Sequence, residues 1–74
     1  MNITEFTKKF EEVFDDEVVL TSETYFKELD EWSSLTVLSI IAFAEENFDV
    51  ILTGKDIREV ETVQDIFELI NSKK

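Results

Sequence analysis

The sequence predicts an all-α fold: a small antiparallel four-helix bundle made of three main helices and one short one. Three observations carry that prediction. Apolar residues recur at steps of three and four near both ends of the chain. Hydroxyl or amide side chains precede these segments, with an acidic residue three positions on, which is the pattern of a capped helix start. The one segment of strand-like propensity, Val18-Val19-Leu20, has no second candidate strand to pair with. The 74 residues are expected to form one domain, 1–74, near the lower size limit for a self-sufficient core. No internal repeat or low-complexity tract interrupts it.

Asn2 or Thr4 can cap the first helix, and Glu5 stands at the capping-box distance from Asn2. Ile3, Phe6, Phe10, Val13 and Phe14 then share one face, while Glu5, Lys8, Lys9, Glu11 and Glu12 lie elsewhere. The helix is expected to end near Asp16, with its three phenylalanines in the core. Residues 17–33 read as a long connection that turns Leu20, Phe26 and Leu29 inward and makes one short turn between Ser22 and Lys27. Connections of this length inside small domains usually serve a function.

The second helix begins at Ser33 and Ser34, where side-chain oxygens can satisfy orphan N–H groups. From Leu35 to Ala44 only Thr36 and Ser39 are polar, so both sides of the helix are apolar. Such a helix is either enveloped or offers a second apolar face to a partner. Val37, Ile40, Ile41, Ala44 and Phe48 form the stripe assigned to the core. Leu35, Leu38 and Ala42 form the other, running on to Glu45 and Glu46, with Thr36 and Ser39 also expected to be exposed. Cover by a loop and use as a docking surface beside the serines are both open for this second stripe.

Val50 and Leu52 can point inward from an extended link, and Gly54 marks a break. Thr53 caps a short helix through Asp56, Ile57 and Arg58. Thr62, with Asp65 three positions on, starts the last helix, whose inward face is Val63, Ile66, Phe67 and Ile70. Asn71, Ser72, Lys73 and Lys74 are expected to fray, the lysines favourably placed at the negative helix end.

Eighteen acidic and seven basic residues give a formal charge of −11. That disfavours nucleic acid and anionic membranes, and no stable membrane association is expected. Basic protein surfaces are the natural partners. The chain has no Cys and no His, so it lacks its own thiol, the usual general base and every Ser–His or Cys–His pair. An independent enzyme is disfavoured. No apolar run suffices to span a bilayer and no signal-peptide pattern is present, so a cytoplasmic monomer is expected. Asp15, Asp16 and Glu17, like Asp30 and Glu31, lack the ligand alternation of a calcium loop; weak divalent association is the most they suggest. No metal site is assigned.

Ser34 has no nearby group to take its proton, but it can be a substrate for another enzyme. A phosphate ester there would sit at a helix N-terminus, where backbone N–H groups and the macrodipole favour negative charge. A plain N-cap pair and a plain phosphate site fit the same two serines.

Ser33-Ser34-Leu35 stands where the acyl carrier protein family has Asp-Ser-Leu, and the chain resembles that family from end to end. The register runs without a gap from Ser34 to Ile70. It includes Glu45-Glu46-Asn47-Phe48, the Val50-Ile51-Leu52 link and Thr62-Val63-Gln64-Asp65; Phe26, Leu29 and the phenylalanine-rich first helix also fit. The resemblance implies a non-catalytic carrier whose Ser34 bears 4'-phosphopantetheine, placed from coenzyme A by a phosphopantetheinyl transferase. Cargo would ride as a thioester to acyl-loading and acyl-transferring enzymes of fatty-acid, polyketide or other specialised biosynthesis. Leu35, Leu38, Ala42, Glu45 and Glu46 would dock on basic partner surfaces. Phe26, Val37, Ile41, Leu52, Ile57 and Val60 are candidates to line a cargo cavity, although an ordinary core needs the same residues. Two departures stand out. Ser33 replaces the aspartate, which bears on which transferase acts. Thr36, Ser39 and Ala42 also stand where the family often has acidic residues, which favours a dedicated carrier in a specialised pathway. The rival reading is an acidic interaction module on the same fold that is never modified.

Overall fold

A computed structural model describes residues 2–14, 18–30 and 32–74. It is all-helical, with α1 at Ile3–Glu11, α2 at Ser34–Phe48, α3 at Gly54–Glu59 and α4 at Val63–Lys73. Among the described residues there is no strand, only an isolated bridge between Tyr25 and Thr62.

In α1, Asn2 Oδ1 accepts the Glu5 N–H at 2.8 Å, and Phe6 and Phe10 are fully buried. The regular helix stops sooner than expected. The N–H groups of Glu12, Val13 and Phe14 donate to carbonyls three residues back, at 3.1, 3.0 and 3.1 Å. This tighter winding still delivers Phe14 to the core. Asp16, the expected end, lies outside the described residues, as do Asp15, Glu17 and Glu31.

The connection that follows is held at two places. The Glu11 carboxylate accepts the Leu20 N–H at 2.8 Å, tying the connection to α1. The N–H groups of Val63 and Gln64 donate to the carbonyls of Thr24 and Ser22 at 3.1 and 2.9 Å, tying it to the start of α4. After them a 3₁₀ turn, Phe26–Glu28, buries Phe26, while Leu20 is buried and Leu29 half-buried.

The core face of α2 differs from the expected stripe. Thr36, Ile40, Phe43 and Ala44 are buried, whereas Val37, Ile41 and Phe48 are half-buried. Thr36, expected outside, is inside. Phe43 rotates the face because its ring meets those of Phe6 and Phe10 edge-on, with centroids at 5.9 and 5.7 Å. The helix ends at Asp49, which takes the left-handed conformation (φ 58) that Asp tolerates. There the Asp49 and Val50 N–H groups satisfy the carbonyls of Glu45 and Ala44.

Val50 and Leu52 are buried and Ile51 is exposed, as an extended link dictates. Thr53 caps α3 and Thr62 caps α4. Contrary to expectation, α4 runs through Asn71 and Ser72 to Lys73. Lys73 Nζ lies 3.4 Å from the Asp56 carboxylate, and the Lys74 ammonium sits 5.0 Å above the Phe48 ring. These two contacts hold the end that composition alone marked as loose.

Candidate functional site at the start of α2

The two adjacent serines are not equivalent. Ser33 is the N-cap, with extended backbone. Its N–H donates to Thr36 Oγ1 at 3.2 Å, and the two hydroxyl oxygens are 3.4 Å apart. Burial of Thr36 is thus compatible with its polarity, because its hydroxyl closes the helix start. Ser34 is the first helical residue and is exposed, and among the described residues no group bonds its hydroxyl. Trp32, which sequence reasoning left unassigned, packs edge-on against Phe26 at 5.6 Å and anchors the segment entering Ser33.

Electrostatics separate this start from two others. Asp56 and Asp65 occupy the first turns of α3 and α4 and accept the N–H groups of Thr53 and Thr62. The Thr53 N–H holds the Asp56 carboxyl below the usual range, and Thr62, then Glu61, does the same for Asp65. The first turn of α2 has no acidic residue. Among the described residues, its positive helix end thus has no first-turn carboxylate and lies beside a hydroxyl that nothing bonds, a setting that suits an attached anionic group. The chain has no histidine to serve as a base for Ser34.

Beside Ser34, Leu35 and Leu38 are 72% and 63% exposed, and Ala42, Glu45 and Glu46 continue the exposed side. Ser39 also lies there, its hydroxyl donating back to the Leu35 carbonyl at 3.3 Å. Phe26, Leu52, Ile57 and Val60 are buried and Val37 and Ile41 half-buried. They pack within the same hydrophobic core. The surface cavities at α1 are lined by other residues. Among the described residues no group of three or more potential ligands is placed to hold a metal, and no helix is long and apolar enough to cross a membrane.

No protein-family model matches the sequence, and no curated protein matches it. Among solved structures, the chain is similar to the solution structure of a holo acyl carrier protein from Geobacter metallireducens. The identity is 29%, the match covers 96% of this chain and 83% of that one, and the TM-score is 0.76. The fold is acyl-carrier-protein-like over nearly the whole chain.

Proposed function

We propose that this acyl-carrier-protein-like chain is a non-catalytic carrier whose Ser34 is the attachment point for 4'-phosphopantetheine. One observation carries the reading: Ser34 is exposed at the positive end of α2, and among the described residues nothing bonds its hydroxyl, in a fold shared with a holo acyl carrier protein. The residues fit the group. A phosphodiester on Ser34 meets no carboxylate in the first turn, and the role of Ser33 as N-cap, its hydroxyl 3.4 Å from Thr36 Oγ1, favours Ser34 of the two. A phosphopantetheinyl transferase would supply the base that takes the Ser34 proton. When bound, the group supplies the thiol that this cysteine-free chain lacks, on which acyl or aminoacyl cargo is carried as a thioester.

The remaining residues orient and recognise. Leu35, Leu38 and Ala42 offer an apolar contact beside the attachment point, and Glu45 and Glu46 offer charge to basic partner surfaces at its far end. Sheltering an apolar cargo requires the core around Phe26, Leu52, Ile57 and Val60 to part, since it is packed closed. The pathway served is read here as specialised biosynthesis, because the near half of the docking side has no charge.

The test is intact mass after incubation of the purified chain with coenzyme A and a broad-specificity transferase. A single adduct is expected, retained in Ser33→Ala and abolished in Ser34→Ala. An unmodified chain with several transferases would instead identify an interaction module on the same fold.

A further inference from the structure

Ser33, between Trp32 and Ser34, has fully extended backbone, with φ −154 and ψ 174. An extended residue turns its side chain away from those of its two neighbours. The Ser33 hydroxyl accordingly lies toward Thr36 Oγ1, at 3.4 Å, and Trp32 and Ser34 share the opposite side. Their Cα atoms lie at most about 7 Å apart, the span of two extended residues. We propose that Trp32 is a positioning residue for the group attached at Ser34: its indole N–H donates to the phosphodiester, and its ring flanks the dimethyl-bearing carbon that follows. The inference rests on the proposed modification of Ser34 and gives Trp32 a task beyond packing.

The indole is held and yet open. The Trp32 backbone N–H donates to the Leu29 carbonyl at 3.0 Å, and the ring meets that of the fully buried Phe26 edge-on, with centroids at 5.6 Å. These contacts fix the side chain before any ligand arrives, so little freedom is lost on contact. Trp32 is nonetheless only half-buried. Among the described residues no acceptor bonds its Nε1, and no buried side-chain nitrogen or oxygen lacks a partner, so this N–H opens to solvent. An indole N–H can only donate, which matches an anion.

The tether decides which neighbour the group meets. Helical side chains tilt toward the helix N-terminus, so a substituent on Ser34 sets out toward Trp32 rather than along α2 toward Leu38. Leu35, next in the helix, is turned away by roughly 100°. The first turn of α2 has no acidic residue to repel a phosphodiester held there. Beyond the phosphate, the dimethyl-bearing carbon is an apolar unit that lies well on an aromatic ring. The amides and thiol extend past the indole and stay free to enter a partner. One net hydrogen bond favours the held state about two- to tenfold.

Trp32 is the one tryptophan of the chain, which gives the experiment a single reporter. The chain is converted with coenzyme A and a transferase, and intact mass establishes the adduct. NMR of the modified chain should show nuclear Overhauser effects from the methyl groups of the arm to the Trp32 ring. The indole N–H resonance should move relative to the unmodified chain, and acrylamide should quench the tryptophan emission less. Trp32→Phe keeps a ring on Phe26 and loses the donor. Its phosphorus resonance should shift from that of the modified parent, while amide resonances of α4 stay in place. Methyl groups that contact Leu38 or no residue, an indole N–H that does not move, or an unchanged phosphorus resonance in Trp32→Phe would each overturn the proposal and leave attachment at Ser34 standing. A chain that takes no adduct removes both readings.

Discussion

The starts of α2 and α4 solve the same problem with opposite chemistry. At α4 the Asp65 carboxylate accepts the Thr62 and Glu61 N–H groups, both at 3.1 Å, while Thr62 Oγ1 accepts from Asp65 at 3.1 Å. A fixed negative charge faces the positive helix end. At α2 the equivalent reach is made by a neutral hydroxyl, Thr36 to the Ser33 N–H. A helix that brings its own anion is complete as folded. One capped by a hydroxyl has, among the described residues, no carboxylate of its own in the first turn, and this start lies beside Ser34, the residue proposed to acquire a phosphodiester.

Truncation at the self-contained start should have the largest effect on folding. Asp65→Ala leaves two N–H groups without their partner and removes the charge, at a cost of about 1–2 kcal/mol. Thermal or urea unfolding at neutral pH measures it. A loss near zero would mean that burial of Val63 and Ile66 alone sets the start of α4, and the contrast with α2 would have no energetic content.

These two starts also differ in how well they can be read from sequence. Thr62 with Asp65 and Thr53 with Asp56 announce themselves, because a hydroxyl and a carboxylate three residues apart have few other local uses. Phe6 and Phe10 were equally legible, since polar neighbours leave one inward direction for each, and Val50 and Leu52 followed from the alternation of an extended link about Ile51. The core face of α2 was not. With ten nearly unbroken apolar positions, periodicity allows several rotations of the helix, and the choice depends on the rings of Phe6 and Phe10 meeting Phe43. Thr36 was placed outside for its polarity, yet a buried hydroxyl is stable once it has bonded a cap. Ser34 was singled out by its place in the resemblance register, which already set it apart from Ser33; the cap geometry adds that Ser33 is the N-cap and Ser34 the first helical residue. The surface groove beside α2 joins residues 12–13 to 39–47, a juxtaposition that no local pattern encodes.

Acidification probes the charged starts with a smaller effect than truncation. Backbone N–H groups hold the folded-state values of Asp56 and Asp65 below the ordinary aspartate value of 3.8. Their ionised forms therefore contribute stability that is fully present above the unfolded value and is lost as pH falls through the lower folded values. The loss should fall below about pH 3.8 and should be partial, because a protonated carboxyl still accepts. Unfolding free energies at pH 4.5 and 2.5, compared between the parent chain and Asp56→Asn/Asp65→Asn, isolate it. The double variant should show a shallower decline, and parallel curves would remove these carboxylates from the explanation.

The smallest effect is the most informative about α2. Ser33→Asp keeps a good N-cap and adds the negative charge that this start lacks, for a gain of about 0.5 kcal/mol at low ionic strength. Part of that gain is opposed by one more negative charge on a chain already at −11, so added salt should change it measurably. The comparison sharpens when the substitution is repeated on chain modified at Ser34. A phosphodiester beside position 33 already answers the helix end, and a neighbouring carboxylate then repels it, so the gain should vanish or reverse. Equal gains before and after modification would mean that the charge on Ser34 does not reach the helix terminus, and the unmet demand at α2 would have to be attributed to something other than the attached group.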